Sequence, residues 1–216
     1  MPEAHAPTVV KLGGSHAFSP HLKDWLGAFA RCAGRVVVVP GGGPFADTIR
    51  AAQPKMGFDD RAAHHMALLA MEQYAWALAS LDATLAPADS VAGIRRALAD
   101  GRVPVWCPVK MSLRAADIAW SWDVTSDSLA AWLCGRIGAR HMLLVKHLAP
   151  PVDPIRADEL VARAIVDPAF PRMLGAVDLE AYLAGPADHA AAAAAIRSGS
   201  RAGTRIVLDE RHVTGA

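Results

Sequence analysis

Lys11 stands near the end of a short β-rich run, Thr8–Leu12, and Gly13-Gly14-Ser15 follow at once. A lysine beside consecutive backbone N–H groups suits phosphoryl oxygens, which need a point charge and several directed donors. A second run of the same kind, Val36–Pro40, is followed by Gly41-Gly42-Gly43-Pro44. Glycines between a strand and a helix let backbone approach a ligand closely, and the helix N-terminus adds positive potential there. Neither stretch is a Walker A loop or a Gly-x-Gly-x-x-Gly fingerprint. Three glycines alone serve a plain turn as well as an anion site. Two such loops together favour the anion site.

The elements that must position these loops can be read from the pattern. Four consecutive valines are a strand buried on both faces, as in a parallel sheet. Two glycine-ended strands joined by a helix over about 19–34 make a βαβ unit, whose right-handed crossover puts both loops on one sheet edge. The spacing predicts a helix over 45–53, broken at 54–57. A long helix capped by Asp59 or Asp60 then runs to about 80, with Met66, Met71 and Tyr74 on its apolar stripe. A strand over 83–86, a helix from Asp89 to about 100 and a strand over 103–107 follow. Thr125 reads as the N-cap of a helix with Asp127 in its first turn and Gly138 beyond its end. His141–Val145 is a buried strand with Lys146 at its carboxyl end. After it come a helix over about 158–166, turns at Asp167-Pro168 and Phe170-Pro171, a helix through the alanines at 190–195, and a closing strand over 205–208. This alternation predicts one domain over residues 1–216, a three-layer α/β/α sandwich around a mostly parallel sheet. Ligands of such sheets sit beyond the carboxyl ends of the strands, the edge that carries Lys11, the glycines and Lys146.

Composition excludes several classes. The formal net charge is +1 and no basic tract stands out, so no nucleic-acid surface is expected. Cys32, Cys107 and Cys134 are scattered with no Cys-x-x-Cys pair, which points to reduced thiols in a cytosolic protein and not to a disulfide frame or a zinc site. Residues 1–8 carry neither a basic n-region nor an apolar h-region, so no leader is expected. No apolar run reaches the ~18 residues that would span a membrane.

The order of motifs resembles the amino acid kinase family, the fold shared by carbamate, acetylglutamate, aspartate and uridylate kinases. Lys11-Leu12-Gly13-Gly14-Ser15 comes first and Gly41-Gly42-Gly43 second. Thr125-Ser126-Asp127 opens a helix, and a Gly203-Thr204 strand closes the chain. Within that family, Pro44-Phe45-Ala46-Asp47, Ala62-Ala63-His64, Met71-Glu72-Gln73-Tyr74 and Ser121-Trp122-Asp123-Val124-Thr125-Ser126-Asp127-Ser128 look like the small kinases of methanofuran biosynthesis. Those convert (5-aminomethyl-furan-3-yl)methyl phosphate to its diphosphate with ATP. Bacterial relatives serve one-carbon oxidation with tetrahydromethanopterin.

The resemblance implies a cytoplasmic kinase that uses ATP with Mg²⁺ carried by the nucleotide, a small phosphate acceptor, no protein-bound metal, and a homo-oligomer. It assigns Lys11 and Asp127 to catalysis, with Asp127 orienting a lysine. Gly13, Gly14, Ser15, Gly203 and Thr204 fall on the nucleotide and phosphoryl side. Gly41, Gly42, Gly43, Asp47, His64, Thr125 and Ser126 fall on the acceptor side. Relatives like acetylglutamate kinase carry a late catalytic lysine, and residues 153–199 here contain none. Lys146 is the candidate to replace it. Each role has a plainer reading: a solvated strand-end lysine, an aspartate favoured by the helix dipole, a packed histidine. Trp120 and Trp122 could face a furan ring or simply pack at a helix entry. The alternatives of another class are a nucleotide or anion binder without turnover, as in molybdenum storage proteins, or a kinase for another small phosphate or carboxylate.

Overall fold

The computed structural model describes residues 6–209; residues 1–5, most of the stretch read for a leader, lie outside them. In chain order the strands are β1 (Thr8–Leu12), β2 (Val36–Pro40), β3 (Leu85–Ala88), β4 (Val103–Trp106), β5 (His141–Val145), β6 (Ile155–Arg156), β7 (Glu180–Ala184) and β8 (Thr204–Val207). They form one sheet in the order β3-β4-β2-β1-β5-β7-β8-β6. From β3 across to β7 all pairs are parallel; β8 runs antiparallel to β7, and β6 pairs parallel with β8. Leu12 lies opposite both Pro40 and Val145, so the first glycines of both loops and Lys146 end flush on one edge.

Strand alternation divides the core into two layers. Val9, Val37, Val39, Met142 and Leu144 pack on one face with helices α4 (Val91–Ala99), α6 (Ser126–Ile137), α7 (Ala157–Ala162) and α8 (Phe170–Gly175). Val10, Leu12, Val36, Val38, Leu143 and Val145 pack on the other with α1 (Leu22–Ala30) and α9 (His189–Ser198). The helix pair α2 (Gly43–Met56) and α3 (Asp60–Leu81) stands beside β2 and the carboxyl edge, and a short α5 (Val109–Ser112) follows β4. This is the three-layer α/β/α sandwich that the pattern predicts, with a mostly parallel sheet.

Several boundaries differ, each for a local reason. Helix α2 continues through Pro54 to Met56, because Gly57 closes it in a left-handed conformation and donates to the Gln53 carbonyl at 2.8 Å. The third strand starts later than 83, since Asp82 accepts from the Thr84 N–H at 2.8 Å and holds a turn there. Ser90, not Asp89, caps α4 by accepting from the Gly93 N–H. Thr125 occupies the N-cap position of α6 without capping it through its own side chain. The pattern misses β6, β7, α8 and the short α5. Glu180–Ala184 holds little β-branched sequence and is held as a strand by pairing on both sides, and Phe170–Gly175 starts at the expected Phe170-Pro171 turn.

Gly203 enters β8 with φ +90°, and a Cβ there would sit 2.4 Å from the Leu183 carbonyl oxygen. Gly203→Ala is therefore expected to lower stability by about 2 kcal/mol or more, read as a shifted denaturant midpoint. An unchanged midpoint would mean that β8 can move off β7 at no cost.

Candidate active site

Lys11 is the fourth residue of β1, and Lys146 follows the last residue of β5. The register sets Lys11 opposite Leu144, so alternation sends Lys11 and Lys146 to one face of the sheet, the face covered by α6. The first turn of α6 brings Asp127 onto both. Its Oδ1 lies 2.9 Å from Lys11 Nζ and its Oδ2 2.7 Å from Lys146 Nζ. The Lys11 and Asp127 side chains are each 5% exposed and that of Lys146 13%. Lys11 is no solvated strand-end lysine.

Burying charge is expensive unless partners compensate. Burial works against the Asp127 carboxylate, but Lys11 and Lys146 outweigh it and hold its pKa below the ordinary range. For Lys11 the balance is the reverse. Burial dominates and pushes the ammonium down to about 8, with Asp127 opposing and Lys146 adding to the fall. Behind them, burial and the neighbouring His147 push His16 down to about 4, so that ring is neutral. Two cations and one anion leave the trio with a surplus positive charge.

The carboxylate that holds the start of α6 is Asp167. It accepts from the Thr125 N–H at 3.0 Å, the Thr125 hydroxyl at 2.8 Å and the Ser128 N–H at 3.1 Å, and also from the Ser128 hydroxyl. Asp167 thus takes over the cap that Thr125 does not supply, and it fixes the turn that aims Asp127. Burial and the nearby Asp127 charge raise its pKa. Sequence reading takes Asp167-Pro168 only as a turn, because nothing in spacing links a loop aspartate to a helix start some forty residues earlier.

Two cavities meet at this point. One, of about 250 Å³, is bounded by Gly41, Gly42 and Gly43 and by α2 and α3. The other, of about 390 Å³, holds Lys11, Asp127 and Lys146 and extends to the 161–168 segment. Gly14, Ser15, Trp122, Thr125 and Ser126 line both. The two glycine loops touch backbone to backbone at the junction. A Cβ on Gly14 would sit 2.4 Å from the Gly43 nitrogen, and Gly43 itself has φ +55°. Close approach is needed here by the second loop as well as by any ligand.

In the first cavity His64 is 4% exposed, and its Nε2 has no hydrogen-bond partner among the described residues. Burial lowers its pKa, so it faces the cavity uncharged. Asp47 stands at the open rim, 3.4 Å from Arg50. Arg50, unmarked in the sequence reading, stacks its guanidinium 4.4 Å over Trp122, whose Nε1 donates to Gln53 Oε1 at 2.6 Å. The i, i+3 spacing of Asp47 and Arg50 on one helix was the signal available for it. Trp120 lies away from both cavities, under Arg61. Gly203 and Thr204 sit at the same sheet edge but line neither cavity; the Thr204 hydroxyl is spent on the Pro151 carbonyl.

Comparison with known proteins agrees with this layout. Residues 6–149 match the model of the amino acid kinase family. The chain is 24% identical over 186 residues to [5-(aminomethyl)furan-3-yl]methyl phosphate kinase of Methanocaldococcus jannaschii, covering 81% of this chain and 86% of the relative. Its fold matches uridylate kinase from Archaeoglobus fulgidus with a TM-score of 0.67 and 19% identity, covering 93% of this chain and 100% of that one. It also matches UMP kinase from Bacillus anthracis with a TM-score of 0.69 and 14% identity, covering 93% and 95% of the two chains.

A catalytic charge on the depressed Lys11 would give turnover an alkaline limit. The folded chain binds fewer protons than the unfolded chain between about pH 8 and the ordinary lysine value of 10.5, so deprotonation there favours the fold while removing a cation. kcat/KM is expected to fall as pH rises through about 8 with the circular dichroism unchanged. Activity flat to pH 10 would contradict a catalytic charge on Lys11.

Proposed function

Because the chain belongs to the amino acid kinase family and is a kinase, we propose that it transfers the γ-phosphoryl group of ATP to (5-aminomethyl-furan-3-yl)methyl phosphate. An acceptor phosphate oxygen forms a bond to the γ-phosphorus, the bond from that phosphorus to the β-bridging oxygen breaks, and the products are the diphosphate and ADP. The observation that carries the reading is the convergence of Lys11 and Lys146 on one buried carboxylate where two cavities meet. Phosphoryl transfer asks little covalent chemistry of a protein. It asks that two phosphates be held in line and that the charge on the transferred group be neutralised.

In this reading the cavity with the lysines takes the nucleotide phosphates, and the cavity behind Gly41-Gly42-Gly43 takes the acceptor. Gly14 and Ser15 donate to the phosphoryl group between them; the Gly13 N–H is already given to the Val145 carbonyl at 3.1 Å, so Gly13 shapes the loop and does not donate. Lys146, from the end of β5, supplies the second cation that the late segment of the chain lacks. Asp127 fixes both ammonium groups before substrate arrives, so no reorganisation is needed during transfer. Mg²⁺ would arrive on the nucleotide phosphates and add charge neutralisation there. Asp127 and Asp167 are already engaged by two lysines and by the start of α6, which supports an ion carried by the nucleotide.

The named substrate of the Methanocaldococcus jannaschii relative supports the furan phosphate as acceptor. So does a wall that offers an aromatic face at Trp122, a neutral acceptor or donor at His64 Nε2 and a rim carboxylate at Asp47. The product would serve a methanofuran-type cofactor of one-carbon metabolism, made in the cytoplasm by one kinase domain spanning residues 1–216. Assembly as a homo-oligomer is supported by the outer face of α3, where Met66, Leu69 and Trp76 are all exposed, Trp76 by 64%. Among the described residues no helix is long and apolar enough to cross a membrane.

The test is chromatographic detection of ADP and the diphosphate from ATP and the furan phosphate, with UMP as the competing acceptor. Turnover of the furan phosphate well above UMP is expected. A preference for UMP would overturn the acceptor assignment. Lys146→Met keeps the length and removes the charge, and is expected to lower kcat about a hundredfold with ATP affinity retained. Unchanged kinetics would remove Lys146 from the reaction.

A further inference from the structure

On the sheet face opposite the lysines, α1 and α9 begin side by side. His21 immediately precedes α1, Asp24 lies in the first turn of α1, and His189 is the first residue of α9. His21 Nδ1 is 3.7 Å and His189 Nε2 is 3.8 Å from the same carboxylate oxygen, Asp24 Oδ2. Donor atoms of all three residues lie within 4.8 Å of one another. Separations of this size are too long for N–H···O hydrogen bonds, which close at about 2.7–3.2 Å. They approach the spacing of ligands around a tetrahedral ion: bonds of about 2.0–2.1 Å put neighbouring donors about 3.3 Å apart. The three side chains bring their donor atoms together without hydrogen-bonding one another at these separations.

The surroundings hold them there. Trp25, fully buried on α1, sets its ring edge-on to His189, with centroids 6.2 Å apart and planes at 80°. Its Nε1 donates to the Pro186 carbonyl at 2.8 Å, which ties the segment entering α9 to α1. The carboxylate lies between two imidazoles on backbones fixed by packing, so closing around an ion asks only for movements on the order of an ångström in side chains that are a quarter to a half exposed.

We propose that His21, Asp24 and His189 form a binding site for a divalent transition metal, with Zn²⁺ the best match, that ties the start of α1 to the start of α9. Two imidazole nitrogens and one carboxylate oxygen suit Zn²⁺, with Co²⁺ and Ni²⁺ close behind, and leave a fourth position for water. Mg²⁺ prefers an all-oxygen octahedral shell, so the ion that accompanies a nucleotide does not compete for this site. Helix α1 follows directly on the Gly14–Phe18 turn that leaves the first glycine loop. Metal binding here therefore anchors the element behind that loop and stabilises the fold by mass action, at a distance from the phosphoryl chemistry.

The test uses the full chain without a polyhistidine tag or nucleotide, titrated calorimetrically with Zn²⁺ to about 100 μM in millimolar Mg²⁺. Thermal midpoints are read in parallel, and Co²⁺ is used as the absorbing probe. One Zn²⁺ per chain, a raised midpoint and a Co²⁺ spectrum of low coordination number are expected. Asp24→Asn and His189→Gln should each weaken Zn²⁺ at least about tenfold and abolish the rise in midpoint, while their metal-free midpoints stay near that of the native chain. If His189→Gln folds poorly, His21→Ala reads the same ligand loss from the other helix. The proposal is overturned by no saturable Zn²⁺ binding, by binding that is unaltered in the variants, or by an equal rise with Mg²⁺ alone.

Discussion

One buried carboxylate held between two ammonium groups organises this molecule. Each of these ions loses several kcal/mol of hydration on burial, and Asp127 can compensate Lys11 and Lys146 only because it touches both. The compensation is incomplete by one positive charge, and Lys11, lowered to about 8 chiefly by burial, is lowered further by Lys146. An anion placed between the lysines completes it. The trio is electrostatically unsatisfied in the sense that an anion corrects, and in the proposed transfer phosphate binding and charge stabilisation would have the same origin.

The rest of the fold serves that geometry. Pairing of β1 with β5 in the register Leu12 to Val145 puts two lysines on one face, a residue beyond and a residue short of the strand ends. A slip of one residue would turn one of them into the opposite layer. Helix α6 must begin where its first turn reaches both, and Asp167 holds that start from α8's leading loop with four hydrogen bonds. The glycine loops press against each other so closely that no side chain fits between Gly14 and Gly43, which brings the two cavities to a common boundary. In-line transfer requires such a boundary.

Much of this was readable in the chain. The valine run, the glycine-ended strands and the strand before Lys146 fix the parallel centre of the sheet, because buried parallel strands and their loops leave strong local signals. In the late segment the helices near 158 and 190 and the closing strand were readable, whereas β6, β7 and α8 were not. Glu180–Ala184 becomes a strand through its neighbours on both sides, and Phe170–Gly175 is a helix of only six residues whose first-turn proline also suits a turn. In the site, Lys11 and Asp127 stood out by position, whereas Asp167 acts only through tertiary contact. Thr125 had the right residue type for a cap, yet its hydroxyl donates to Asp167 instead. Glycines at strand ends predict space for a ligand, and part of that space is taken by the other loop.

The most direct measurement is a crystal structure with ADP, the furan phosphate and a metal-fluoride mimic of the transferred group. The mimic is expected at the junction of the two cavities, with Lys11 Nζ and Lys146 Nζ each about 3 Å from its ligand atoms and Asp127 still bridging the two lysines. A mimic bound beyond the reach of either lysine, or a Lys146 turned away from it, would contradict the account.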